Sequence, residues 1–314
     1  MLFFDLNYYI CVIQNHDMKF AAIDIGSNAL RLLIQESRVT KGGEHYFRKI
    51  GLTRVPLRLG AEVFSKGVIS DKNAGKLVKV LSAFRLLMEV NDVKHYRGCA
   101  TSAMREAENG DAIIKQIKDV ANIDIELISG EEEANLIIGN FKSSNIDKSK
   151  VYLYIDVGGG STEVSLIKDS ERVKSYSFNL GTVRLLKNKV DKSVWNDAKA
   201  KVSEMIGKEK DIISIGTGGN INTIYKESIH SFGTPIQYSE IKKIVKHIDE
   251  HSFEERITKL RLKPDRADVI IPAGRIYTTI MKAANSQSMI VPKVGLSDGM
   301  ITKMHADLVK AVKS

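Results

Sequence analysis

The sequence predicts an α/β protein of two lobes, and three observations carry that prediction. Short β-branched apolar runs alternate with helical patterns, a strand-and-turn motif occurs twice, and glycine-rich turns follow strand ends. Alternation of this kind builds sheets flanked by helices. A chain of 314 residues is also long for one domain, so two units of roughly 130–170 residues are expected.

The repeat sets the division. AAIDIGSN (21–28) and LYIDVGGGST (153–162) each run from an apolar strand through an aspartate into a tight glycine turn. Each then re-enters an apolar stretch, Leu30 to Ile34 and Val164 to Ile167, which is the pattern of a hairpin. Asp24 and Asp156 lie 156 − 24 = 132 residues apart, about one lobe. The chain is therefore divided into an N-terminal extension (1–18), a first lobe (19–140) and a second lobe (141–314). The polar FKSSNIDKSK (141–150) connects the lobes, and the last helix is expected to return to the first. Within the first lobe, apolar spacing predicts a helix over 76–90 and a strand over 95–101. A helix at SAMREAENG, another over 110–122, a strand over 123–129 and a helix from EEEANLIIGNF follow. The second lobe repeats the theme with a helix over 193–208, a strand over 211–216 and the turn TGGN. A helical block (238–260), the segment 266–284 and a final helix after GLSDGM (295–300) complete it.

Composition narrows the function classes. The net charge of +9, from 47 Lys and Arg against 38 Asp and Glu, favours a polyanionic partner. Nucleic acid is disfavoured, because there is no basic tail and no interleaving of aromatic with basic residues. A membrane span is not expected, since no run reaches the ~20 apolar residues required. MLFFDLNYYICVI is too short, is broken by Asp5 and lacks the basic start of a signal peptide. Met18 reads as the start of the folded part. Cys11 and Cys99 give no disulfide framework and fit a reducing cytoplasm.

Ligands in such folds sit beyond the carboxyl ends of strands. Three turns meet that condition: Gly26-Ser27-Asn28, Gly158-Gly159-Gly160-Ser161-Thr162 and Gly216-Thr217-Gly218. Glycine tolerates positive φ and close approach, so each can aim backbone N–H groups at one anion. Asp24, Asp156 and Glu163 flank these turns, where a carboxylate either holds a phosphate-bound cation or caps the turn. Ser129 and Glu132 match a capping box. Glu133 then points elsewhere and reads either as a general base or as a solvated first-turn residue. Arg105, with Thr101 and Ser102, opens a helix in a pattern suited to phosphate.

These segments together resemble a known family. AAIDIGSN, ATSAMREAEN (100–109), ISGEEEA (128–134), DVGGGSTE (156–163), LGTVRL (180–185), RADVIIPAG (266–274) and GLSDG (295–299) are similar, in order, to the motifs of the exopolyphosphatase/guanosine-pentaphosphate phosphatase family. The resemblance implies two ribonuclease-H-like lobes of the acetate kinase, sugar kinase, Hsp70 and actin superfamily, with the active site between them. It implies hydrolysis of the terminal phosphoanhydride of polyphosphate or pppGpp. The implied cofactor is Mg²⁺, with Mn²⁺ and a monovalent cation as alternatives. Carried over by motif, Glu133 is the catalytic glutamate, Arg105 the phosphate-binding arginine, and Asp156 and Glu163 the metal site. Gly26 to Asn28 and Gly158 to Thr162 are the phosphate loops. The chain resembles the short form, without the C-terminal HD-type domain, which points to short chains or nucleotides as substrates. The third loop reads GTGGN where many members carry serine. A homodimer in the cytoplasm is expected. The competing classes are an ATP-dependent kinase of the same fold, a non-catalytic alarmone- or polyphosphate-binding regulator, and an actin-like filament protein.

Overall fold

A computed structural model describes residues 18–40, 45–142, 147–169, 171–231, 233–292 and 294–313. Residues 1–17, including Cys11, lie outside the described residues. The chain opens with β1 (Met18–Ile25), β2 (Leu30–Val39) and β3 (His45–Val55), an antiparallel meander. There follow α1 (Leu59–Lys66), α2 (Asp71–Val90), β4 (His95–Ala100), α3 (Ser102–Glu106), α4 (Gly110–Ala121), β5 (Glu126–Leu127) and α5 (Gly130–Lys142). α2 begins at Ser70, whose hydroxyl accepts the Asn73 N–H, and buries Leu77, Leu81, Phe84 and Met88 along one stripe.

The same plan recurs with β6 (Tyr152–Val157), β7 (Thr162–Lys168), β8 (Glu171–Phe178), α6 (Thr182–Leu186), α7 (Lys192–Ile206), β9 (Ile213–Thr217) and α8 (Gly219–Lys226). β10 (Ile236–Gln237), α9 (Tyr238–Asp249), α10 (Phe253–Thr258), α11 (Pro264–Ala267), α12 (Ile270–Ala283), β11 (Ser288–Ile290) and α13 (Leu296–Lys313) complete it. The first sheet runs β3-β2-β1-β4-β5, and the second runs β8-β7-β6-β9-β11 with β10 at its edge. In both, the first strand pairs antiparallel with the second and parallel with the fourth. The duplication read from two motifs is thus a duplication of sheet topology.

Local chemistry shortens several expected elements. The strand over 123–129 keeps only Glu126 and Leu127; at its start the Asp124 N–H donates to the Tyr96 hydroxyl (3.1 Å). The helix at SAMREAENG ends at Glu106, where Ala107 turns to extended backbone. The block 238–260 divides at Ser252, whose capping box with Glu255 starts α10 afresh.

Each lobe has its own apolar core, and a third lies between the sheets. Phe20, Leu33 and Cys99 reach it from the first sheet, Tyr154, Ile167 and Ile215 from the second, and Leu296, Met300 and Ile301 from α13. The last helix therefore packs on α5 and the first sheet although it follows the second lobe in sequence. A Cβ at Gly299 would lie 2.0 Å from the Leu136 carbonyl oxygen, so only glycine allows this approach. Gly299→Ala is expected to cost about 3 kcal/mol in urea unfolding. Gly139→Ala, where a Cβ meets nothing within 4 Å, should be neutral or stabilising by ~0.5–1 kcal/mol. Equal effects of the two substitutions would contradict this packing.

Candidate active site

The two hairpins end in one cleft, and their register sets its chemistry. Asp24 faces Arg31 across β1 and β2, and Asp156 faces Glu163 across β6 and β7. Both pairs have the same spacing, since 31 − 24 = 163 − 156 = 7. The first copy is an ion pair, Arg31 Nη1 to Asp24 Oδ2 at 2.5 Å. The second copy holds two acids.

A third acid joins them from α5. The start of that helix is seated against β8, since a Cβ at Gly130 would lie 2.7 Å from Ser177 Oγ and 3.2 Å from Glu163 Oε1. Glu133, one turn on, brings a carboxylate oxygen to Asp156 and Glu163, all within 4.8 Å of one another. The set is held from behind. Ser161 Oγ (2.6 Å) and Ser177 Oγ (3.1 Å) both donate to Glu163 Oε1. Thr217 Oγ1 donates to Asp156 Oδ1 at 2.9 Å and meets the Tyr154 hydroxyl at 2.6 Å.

Burial and mutual repulsion disfavour the charged forms. Burial first, then Glu163, Asp156 and Asp24, push Glu133 well above the usual carboxylate range. Burial raises Asp156 against the opposing Thr217 hydrogen bond and Arg31. Burial and Asp156 raise Glu163 to about 7, against the pull of Ser161 and Ser177. Such a set is stable either protonated or around a cation. Three carboxylate oxygens are hard donors, the kind that Mg²⁺ takes.

Basic side chains share the cavity with the acids. A cavity of about 550 Å³ is lined by Asp24, Glu133 and Asp156 and by Arg31, Arg54, Arg266, Lys49 and Lys226. Arg266 Nη1 donates to Asn220 Oδ1 (2.9 Å), and Arg54 pairs with Asp265 at 2.5 Å. Arg54 Nε is buried without a hydrogen-bond partner. Burial, then Arg54 and Arg31, pull Arg266 down to about 9, so it remains cationic at neutral pH. Clustered guanidinium groups with spare donors attract phosphate oxygens.

The structure distributes the sequence candidates between the cavity and its backing. Gly26, Ser27, Asn28, Thr101, Ser102, Gly158, Gly159, Ser161 and Gly218 line the cavity with Asp24, Glu133 and Asp156. Gly160, Thr162, Glu163, Gly216, Thr217 and Arg105 are not in that lining. Thr162 turns its hydroxyl to the Leu180 carbonyl, Thr217 turns to Asp156, and Gly216 is backed by Met289. Arg105 Nη1 donates to the Ile128 carbonyl (2.6 Å), while its charge lowers the pKa of both Glu133 and Glu163.

Two local expectations change. Of the turn glycines only Gly218 has a positive φ (104°); Gly159, Gly160 and Gly216 serve close approach. A Cβ at Gly159 would lie 2.8 Å from Ser27 Cβ, and one at Gly160 would lie 2.4 Å from Ser102 Oγ. The capping box at α5 is half formed: the Glu132 N–H donates to Ser129 Oγ (3.1 Å), but the Glu132 carboxylate takes Arg97 (2.7 Å). Glu131 pairs with Arg172 (3.0 Å), so Glu133 alone of the three faces the cavity. Sequence reasoning missed Arg31, Arg54, Arg266, Lys49 and Lys226. Arg31 was signalled by its seven-residue spacing from Asp24, which repeats that of Glu163 from Asp156.

The chain has known relatives in sequence and in fold. The profile of the Ppx/GppA phosphatase family matches residues 37–307. A bifunctional 3-dehydroquinate synthase/phosphatase of Fusobacterium nucleatum is 30% identical over 298 residues, covering 86% of this chain and 44% of that protein. Exopolyphosphatase 1 of Mycobacterium bovis is 29% identical over 168 residues, covering 54% of this chain and 48% of its own length. A guanosine-5'-triphosphate,3'-diphosphate pyrophosphatase of Photobacterium profundum is 24% identical over 305 residues, covering 92% and 60%. The chain thus spans about half the length of the curated relatives it matches. The crystal structure of the Aquifex aeolicus member of the Ppx/GppA family has the same fold, with a TM-score of 0.74 at 24% identity, covering 94% of this chain and 99% of that one.

The raised carboxylates give a pH prediction. Glu163 titrates at about 7 folded against 4.5 ordinarily, so between those values the folded state binds more protons and stability falls as pH rises. In chelator, the thermal midpoint should drop from pH 5 to pH 8. Glu133→Gln, by removing a second buried carboxyl whose proton affinity is raised in the folded state, should flatten that drop. Parallel curves for the two proteins would contradict the coupling.

Proposed function

The chain belongs to the Ppx/GppA phosphatase family, and on that premise we propose that it is a Mg²⁺-dependent phosphoanhydride hydrolase. It removes the terminal phosphate of inorganic polyphosphate, or converts pppGpp to ppGpp. The observation that carries this reading is the juxtaposition of three carboxylates gathered within 4.8 Å with a cavity wall bearing Arg31, Arg54 and Arg266. An acidic point that takes a cation, in one cavity with donors that take phosphate, suits a polyphosphorylated substrate and its transition-state charge.

In this reading Asp156 and Glu163 hold the cation, with Glu133 beside them. When bound, the ion neutralises the phosphate oxygens and the charge that develops on them. Glu133 orients a water molecule and takes its proton, a role that a carboxylate with a raised pKa suits. Arg31, Arg54 and Arg266 hold phosphate oxygens, and the turns at Gly26–Asn28 and Gly158–Ser161 present backbone N–H groups to them. Thr162, Gly216 and Thr217 support these groups from behind. Arg105 moderates the field around Glu133 and Glu163, and the donors not given to the Ile128 carbonyl remain for a phosphate oxygen. The lobes divide at about residue 140, and the protein works as a dimer in the cytoplasm. Among the described residues no helix is long and apolar enough to cross a membrane.

The test is phosphate release from short polyphosphate, long polyphosphate and pppGpp, with Mg²⁺ and with chelator. Glu133→Gln should lower kcat by about 10²–10⁴, the scale of a general base, while keeping the fold. Metal-dependent release that survives in Glu133→Gln would remove the assignment of the base. Tight binding of pppGpp without release would turn the reading to a regulator.

A further inference from the structure

One motif in the sequence has no part in the reaction as described, LGTVRL (180–185), and its arginine occupies an unusual position. Arg184 is 9% exposed and reaches three partners at once. Its Nε donates to the Gly160 carbonyl at 2.8 Å. Its Nη2 donates to both Glu106 oxygens, at 2.5 and 2.6 Å. Its guanidinium lies over the Phe64 ring, 4.0 Å from the centroid. Gly160 belongs to the phosphate turn of the second lobe, whereas Glu106 and Phe64 belong to α3 and α1 of the first.

The contact with Gly160 fixes more than a carbonyl. A trans peptide is planar, so holding the Gly160 oxygen on one edge holds the Ser161 N–H on the other. Ser161 lines the cavity, and its hydroxyl donates to Glu163. The rest of the turn is held by the same short helix, with the Thr182 N–H on the Gly158 carbonyl and the Val183 and Arg184 N–H groups on the Gly159 carbonyl. On the other side, α3 carries Ser102 and Arg105, and Ser102 Oγ meets Ser27 Oγ at 2.9 Å.

We infer that Arg184 is a positioning residue: it sets the Gly160–Ser161 peptide and keys that turn to α3, so that the phosphate-binding parts of both lobes share one register. The inference rests on the hydrolase reading of the cavity. Lysine keeps the charge but loses the fork that serves Gly160 and Glu106 together, and misplacement by about 1 Å can cost about 10² in rate. Simple glue between the lobes is a different role, and the molecule provides a control for it. Arg58 donates to both Asp268 oxygens, at 2.6 and 2.7 Å, joining the lobes without either residue lining the cavity.

Arg184→Lys, Glu106→Gln, their double variant and Arg58→Ala are compared, each at a temperature where circular dichroism shows it folded. The readouts are kcat and KM for whichever phosphoanhydride the wild type cleaves, and amide hydrogen exchange over 157–162 and 102–107. Arg184→Lys should lower kcat by about 10- to 100-fold with KM changed by less than about threefold. Exchange should quicken in both segments together. The double variant should be no slower than the worse single one, as for groups acting as a unit. Arg58→Ala should leave kcat and the exchange of 157–162 unchanged. Unchanged kcat in Arg184→Lys, faster exchange in only one segment, or an equal kcat loss in Arg58→Ala would overturn the inference. If the wild type cleaves none of the substrates the hydrolase reading fails, and the exchange comparison still decides whether Arg184 couples the two segments.

Discussion

Three carboxylates meeting at one half-buried point form the interaction on which the rest of the site depends. Burial raises the proton affinity of Glu133, Asp156 and Glu163, and neighbouring carboxylates add to it. The surrounding structure holds them together regardless. Ser161 and Ser177 spend their hydroxyls on Glu163, Thr217 spends its own on Asp156, and α5 is seated by Gly130 where no side chain fits. Groups arranged against their own repulsion are groups arranged for a cation or for proton transfer.

The duplicated lobe explains how one cleft can hold opposite charges. The same strand, turn and strand occurs twice, and the position seven residues after the aspartate is Arg31 in one copy and Glu163 in the other. That single difference turns one hairpin into an ion pair and the other into an acidic pair. The copies then approach so closely at Gly159 and Gly160 that no Cβ fits between the turn and Ser27 or Ser102. Glycine is needed there for contact between the lobes rather than for a left-handed backbone. Arg184 spans this same junction, which is why it bears on both lobes.

Much of this was legible in the sequence, for physical reasons that can be named. The repeat was visible because a strand ending in an aspartate and glycine turn has a short, rigid spelling. Glu133, Asp156 and Glu163 were visible because their motifs are local. Less was legible where the determinant was a distant partner. The cross-bonding of Glu132 to Arg97 depends on a strand 35 residues earlier in the chain, so the capping box read from spacing alone was only half right. At the start of the strand before α5 the Asp124 N–H turns to a distant hydroxyl, that of Tyr96. Arg54 and Arg266 meet only because β3 and α11 converge from different lobes. RADVIIPAG marks Arg266 as part of a motif, but nothing in either segment announces its meeting with Arg54. Thr162 and Thr217 were placed with the phosphate turns; their hydroxyls go to the Leu180 carbonyl and to Asp156, partners no local pattern shows.

Whether the three carboxylates hold a divalent cation is decided most directly by calorimetric titration of Mn²⁺ into the protein at pH 7, in two buffers of different ionisation enthalpy, with Asp156→Asn in parallel. One saturable ion, bound with release of protons from the raised carboxylates and lost in Asp156→Asn, is the result that the geometry predicts. Absence of saturable binding, or equal binding with no proton release in Asp156→Asn, would contradict it.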